Sequence, residues 1–196
     1  MKKEKSIIMG LSIVCLGLLL IILYSYNLSQ SEQIYKIILR ADNKLSEISI
    51  DSQMAESYYL EAGSAYEHFD YKSVALNSRL AREYYHKESQ GYKEVKAELK
   101  AMESNDKLIV LYIEGLDLLS EIALNMFEAC EHFESTANYY DIYYNTNVPF
   151  DDMSFEMGGG ELDMMNEKIA AHDNNVGKYN DILSEFGVEL EKRIKE

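Results

Sequence analysis

The sequence has little of what loop-rich or disulfide-stabilised proteins need. Its 196 residues include no tryptophan, ten glycines, one proline (Pro149) and two cysteines, Cys15 and Cys130. Proline and glycine mark the turns of β-rich folds, so their scarcity favours long helices. Two cysteines far apart in sequence exclude a disulfide framework and a cysteine-rich zinc site. We therefore expect Cys130 to be a small buried apolar residue.

Positive charge is missing from the middle of the chain. No Lys or Arg lies between Lys107 and Lys168, and the net charge of the whole chain is −15. A field of one sign attracts cations or basic proteins and repels nucleic acid, so we do not expect nucleic-acid binding. The stretch is either a solvated acidic face or a surface for a basic protein partner or divalent cation. Its thirteen acidic residues are Glu114, Asp117, Glu121, Glu128, Glu131, Glu134, Asp141, Asp151, Asp152, Glu156, Glu161, Asp163 and Glu167.

One long hydrophobic run stands at the N-terminus. Residues 7–26 carry no charge and are preceded by Lys2, Lys3 and Lys5. The length and the basic flank predict a single transmembrane anchor at 7–26, a cytoplasmic tail at 1–6 and an extracytoplasmic domain at 27–196. A cleaved signal peptide is the alternative, but its apolar core is shorter and needs a better cleavage site than residues 23–26.

After this run, apolar residues recur at alternating steps of three and four, which is the heptad pattern of bundled helices. The pattern predicts an all-α domain, an up-down-up-down antiparallel four-helix bundle. Its core positions include Phe69 and Tyr144, Asp70 is expected to cap the second helix, and residues 146–160 are predicted to be a loop. The four helices are expected at about residues 30–69, 71–103, 106–145 and 161–195.

Three polar residues occupy predicted core positions, namely Ser52, Glu88 and His172. A buried glutamate needs a partner or a raised pKa, so these residues are candidates for an internal polar pocket. In the alternative arrangement Glu88 turns to the edge of the core and His172 bonds a tyrosine, because buried polar groups are usually just satisfied.

The predicted loop holds the other candidate site. Asp151, Asp152 and Glu156 are weak candidates for binding a divalent cation, since their spacing lacks the alternating oxygen ligands of an EF-hand. The chain has no pairing of a nucleophile with a base and no phosphate-binding glycine loop. We therefore expect neither an enzyme nor a cofactor.

These features together favour a membrane-anchored, extracytoplasmic module for protein interaction or spacing. Its contact surface would be the acidic third helix and the loop at 146–160. The alternative is a sensor-like domain that binds a small ligand or a divalent cation and works with a membrane partner.

Overall fold

The computed structural model describes residues 31–101, 104–145 and 152–195, and the regular secondary structure within them is entirely α-helical. The predicted tail at 1–6 and anchor at 7–26 lie outside the described residues. No helix in the described part is both long and apolar enough to cross a membrane. The four helices are α1, Ser31–Glu67; α2, Tyr71–Lys100; α3, Lys107–Asn145; and α4, Asp152–Lys195.

The turn between α1 and α2 follows from local hydrogen bonding. The amide of Phe69 donates to the carbonyl of Tyr66 at 3.1 Å. The amide of Asp70 donates to the carbonyl of Ala65 at 3.0 Å. This pair of bonds is the Schellman ending of a helix. The Asp70 carboxylate then accepts from the amide of Ser73 at 3.2 Å, so Asp70 caps α2 as predicted.

Each helix packs antiparallel to the next one, consistent with a four-helix bundle. Lys44 pairs with Glu98 between α1 and α2, whereas near the turn the ring of Tyr66 lies 6.2 Å from that of Tyr71. The first and last helices do not pack closely against each other. We call the end with the α1–α2 turn and the start of α4 the tip end. The base end holds the α2–α3 connection, the start of α1 and the end of α4.

Most predicted core positions are buried. On α2 they are all buried from Tyr71 to Leu99, and Cys130 on α3 is buried as expected. Helix α3 buries residues on two sides because it packs against both α2 and α4, which a single heptad line does not predict. Phe69 and Tyr144 were wrongly predicted to be core, since both are exposed at the tip end.

The start of α4 differs most from the sequence prediction. Residues 152–160 are helical, although they were predicted to be loop. The rings of Tyr140 and Phe155 stack at 5.7 Å, which fixes the first turns of α4 against α3. A Cβ atom at Gly158 would lie 2.5 Å from Tyr140 Cε1, so glycine permits this close approach. Packing therefore outweighs the low helix propensity of the glycines, about 1 kcal/mol each relative to alanine.

Candidate functional site

Exposed aromatic and methionine side chains gather at the tip end. Phe69 is 72% exposed and Met153 is 68% exposed. Apolar side chains that are exposed as a group, rather than singly, mark interaction surfaces in folded proteins. We call this group the aromatic tip, which consists of Phe69, Tyr144, Met153, Phe155 and Met157.

Ring contacts connect the two sides of the aromatic tip. The ring of Tyr71 lies 6.4 Å from that of Phe69 and 5.8 Å from that of Tyr144. The ring of Tyr143 lies 4.7 Å from that of Tyr144 and 5.1 Å from that of Phe155. Aromatic pairs in such geometries add about 0.5–1.5 kcal/mol each beyond their burial. The rings thus form a continuous, preorganised surface across the ends of three helices and the α1–α2 turn.

The backbone of Phe69 is strained. Its φ is 59°, the left-handed conformation that glycine normally supplies at this position after a helix. For a residue with a side chain this conformation costs about 1–2 kcal/mol. The Phe69 side chain is largely in solvent, so its burial does not offset the cost. Strain of this kind, kept at an exposed position, is typical of functional surfaces.

The charges around the aromatic tip are mostly negative. Glu67, Asp70, Asp152 and Glu156 are exposed on the turn and on the first turns of α4. Lys72 is the only Lys or Arg within sequence segments 62–76 and 136–160. An apolar surface in a negative field favours a ligand that combines apolar groups with positive charge.

A buried carboxyl lies in the middle of the bundle. Glu88 is 1% exposed, and Tyr92 donates its hydroxyl to Glu88 Oε1 at 3.0 Å, whereas Oε2 has no hydrogen bond of normal geometry. Burial is the main cause that raises the Glu88 pKa to about 7. Hydrogen bonds from Tyr92 and Ser52 lower the pKa, whereas the negative charges of Asp51 and Glu56 raise it further. The group therefore takes up or releases a proton near neutral pH.

The predicted polar pocket is only partly assembled. Ser52 on α1 lies beside Glu88 on α2, so two of the three residues meet. His172 lies on α4, which does not pack closely against α2, and its Nδ1 is 3.2 Å from Asp173 Oδ1. The alternative in which Glu88 turns to the edge of the core is wrong, because this side chain is fully buried.

The carboxylates proposed to bind a cation lie at the start of α4. Asp152 is in its first turn and Glu156 one turn later, both exposed, while Asp151 lies outside the described residues. In the parts of the chain that the structure describes, no three His, Cys, Asp or Glu side chains come together in a geometry that suits a metal. The site at these three residues remains a prediction.

Several acidic residues of α3 have ion-pair partners within the fold. Arg79 on α2 donates to Glu134 at 2.7 Å, and Lys96 pairs with Asp117. On the other side, Lys168 of α4 lies 2.5 Å from Glu128. The row of acids on α3 thus contributes ion pairs to both neighbouring helices, which the charge pattern of α3 alone does not reveal.

A small cavity lies between α1, α3 and α4. Its volume is about 20 Å³, and Leu45, Gly115 and Phe186 are among the residues that line it. The buried hydroxyls of Tyr112 and Tyr179 also face this region and have no hydrogen-bond partner among the described residues. Burial raises the pKa of both tyrosines. A space of this size has room for about one water molecule.

Sequence reasoning missed the aromatic tip because it assigned Phe69 and Tyr144 to the core. A usable signal was present, since residues 139–157 include six aromatic residues and two methionines. Heptad counting treats the last apolar residue of each helix as core, although a helix end has no neighbouring turn to cover it.

The chain matches no protein-family model, no curated protein sequence and no solved structure with which it was compared. The fold and the site therefore define its class on their own. The part of the chain that the structure describes is all-helical, with four helices and an exposed aromatic surface at one end.

Proposed function

We propose that this protein is a membrane-anchored, extracytoplasmic interaction module that binds another protein through its aromatic tip. The observation that carries the proposal is the strained and exposed Phe69, continuous through ring contacts with Tyr144 and Phe155. The anchor is the hydrophobic run at 7–26, which has the length and flanking charge of a single span. No catalytic role is part of the proposal.

The chemistry of the partner follows from the charges at the tip end. Glu67, Asp70, Asp152 and Glu156 are exposed at the same end of the bundle as the apolar surface. The complementary surface is an apolar anchor ringed by Lys or Arg, as in interfaces with a hydrophobic centre and a charged rim. Met153 and Met157 suit such a site, because unbranched thioether side chains adapt to the shape of a partner. Anionic membrane surfaces would be repelled by the same carboxylates.

The acidic third helix plays a smaller part than its charge suggests. Glu134, Asp117 and Glu128 already pair with cations of α2 and α4. Binding a basic partner there would first break these ion pairs, whereas the aromatic tip needs no such rearrangement. The contact surface is therefore placed at the tip end.

A sensor that binds a small ligand inside the helical core is the weaker interpretation. The apolar cavity at Tyr112 and Tyr179, at about 20 Å³, accommodates roughly one water molecule. A drug-sized ligand usually occupies a pocket of about 300–1,000 Å³. Ligand entry at this position would require the helices to separate.

Site-specific photocrosslinking tests the proposal in membranes of cells that naturally produce the protein. A benzophenone amino acid replaces Phe69 in one variant and Leu60 in a matched control, since Leu60 is exposed on α1 about two turns before that helix ends. We expect position 69 to trap one protein species that position 60 does not. The trapped protein is then purified, and its affinity is measured against the wild type and Met153→Ser.

The proposal is supported if Met153→Ser weakens the affinity for the trapped protein by about tenfold or more, as substitution of an interface hot spot does. Equal crosslinking at positions 69 and 60 would overturn it, as would crosslinks from position 69 to lipid alone. Extraction of the membranes with alkaline carbonate tests the anchor separately, because a peripheral protein is released and a spanning one is retained.

A further inference from the structure

The base end carries a second feature, an open groove between α1 and α2. Its volume is about 580 Å³, within the range of ligand-binding clefts. It is lined by residues from the first turns of α1 and the last turns of α2. The groove is at the opposite end of the bundle from the aromatic tip, so it plays no part in the contact proposed there.

Three cations line one side of this groove. Lys36, Arg40 and Lys44 are spaced by four residues on α1 and therefore lie on one face of the helix. Like charges at this spacing destabilise a helix unless a counter-charge is present. Glu98 of α2 supplies one by pairing with Lys44. The charged residues lining the groove thus sum to about +2 in a protein whose net charge is −15.

The floor of the groove is apolar. Its apolar lining includes the half-buried Ile37 of α1 and the exposed Ala101 after α2, whereas Val95 and Leu99 of α2 also line it but are almost completely buried. A cationic rim above an apolar floor matches a ligand with an anionic group next to a hydrocarbon. Arginine and lysine are the usual ligands of phosphate oxygens, and arginine can contact two oxygens at once.

We propose that this groove binds the phosphate-bearing headgroup of an anionic phospholipid. The lipid is favoured over a soluble phosphate because Lys36 closely follows the predicted anchor at 7–26 in sequence. Lys192 and Arg193 lie at the same end of the bundle, where they pair with Glu189 and Asp106. Basic residues next to a membrane span attract anionic lipid headgroups. The inference rests on the anchor that is part of the proposed function, but it does not depend on the protein partner.

The test uses the full chain in a neutral detergent and follows its thermal unfolding by tyrosine fluorescence. The probes are short-chain phosphatidylglycerol, short-chain phosphatidylcholine and inorganic phosphate. A ligand of the folded state raises the unfolding temperature in proportion to its saturation. We expect a rise with phosphatidylglycerol that neither of the other two probes reproduces at the same concentration.

Variants locate the binding in the groove. Arg40→Gln should weaken phosphatidylglycerol binding about tenfold, as expected for the loss of one charge-assisted hydrogen bond. Lys72→Gln removes the same charge at the tip end and should leave the affinity unchanged. Glu98→Gln should tighten binding, because Lys44 is then free to contact the phosphate.

Two results would overturn the inference. Equal responses to both phospholipids, or an unchanged affinity in Arg40→Gln, would show that the groove does not recognise the phosphate headgroup. An equal response to inorganic phosphate would assign the site to a soluble anion instead of a lipid. Failure of the anchor appears separately, as release of the chain from membranes by alkaline carbonate.

Discussion

At the scale of single residues, Glu88 has the clearest effect on stability. Its pKa is raised from 4.5 to about 7, mainly by burial, so the folded protein holds this proton more tightly than the unfolded chain does. The stabilisation is complete below about pH 4.5 and is lost as the pH rises through about 7. Above that pH the fold contains a buried carboxylate beside the charges of Asp51 and Glu56.

We therefore expect Glu88→Gln to become more stable than the wild type as the pH rises. A glutamine still accepts the hydrogen bond from Tyr92 and carries no charge. The difference in free energy of unfolding should grow by up to about 3 kcal/mol between pH 5 and pH 8. Urea unfolding of both proteins across this range measures it. Glu83→Gln, on the exposed side of α2, is the control, and parallel curves for Glu88→Gln and wild type would refute the assignment.

At the scale of whole helices, two glycines of α4 have opposite roles. A Cβ atom at Gly177 would meet nothing within 4 Å, whereas one at Gly158 would clash with the Tyr140 ring. We expect Gly177→Ala to stabilise the protein by about 1 kcal/mol through helix propensity. Gly158→Ala should destabilise it despite the same gain in propensity. Thermal unfolding of the two variants checks this. An increase in stability in both variants would mean that α4 does not begin near Tyr140.

The ion pairs between α2 and α3 give another expectation at this scale. Arg79 is 53% exposed and Glu134 is 12% exposed, so solvent screens their interaction only in part. Arg79→Glu and Glu134→Arg should each destabilise the protein, and the double variant should recover part of the loss. We expect a coupling energy of about 1 kcal/mol in the double-mutant cycle. Strict additivity would show that the pair contributes nothing to the packing of the two helices.

The sequence predicts the helices well because their cores repeat. On α2, every predicted core position from Tyr71 to Leu99 is buried, and the cap at Asp70 forms as expected. The start of α4 was missed because the stacking of Phe155 on Tyr140 depends on two residues from different helices. Local propensity contains no information about such a contact.

The candidate sites were predicted less well for the same reason. Ser52 and Glu88 meet because they lie on helices that are adjacent in sequence, which the heptad pattern locates. The exposure of Phe69 could not be predicted, because the heptad pattern does not distinguish an apolar residue at the end of a helix from one in the middle of a helix. The ion pairs of α3 likewise depend on which helices become its neighbours.

At the scale of the whole molecule, the two ends differ in chemistry. The tip end combines exposed aromatic residues with carboxylates, and the base end holds Lys36, Arg40 and Lys44 beside an apolar floor. An anionic membrane would repel the carboxylates at the tip end, so the charges fit the proposed orientation with the tip end directed away from the membrane. Anchoring at the base and protein binding at the tip are therefore compatible functions of one bundle.

The variant Phe69→Gly tests the central claim most directly, through its affinity for the protein crosslinked at position 69. Glycine removes the exposed ring and relieves the positive φ, so the fold should be as stable as the wild type or up to about 1 kcal/mol more stable. We predict that stability is kept or increased while affinity for the partner falls at least about tenfold, as for an interface hot spot. Unchanged affinity in a stable variant would contradict the claim that the aromatic tip is the binding surface.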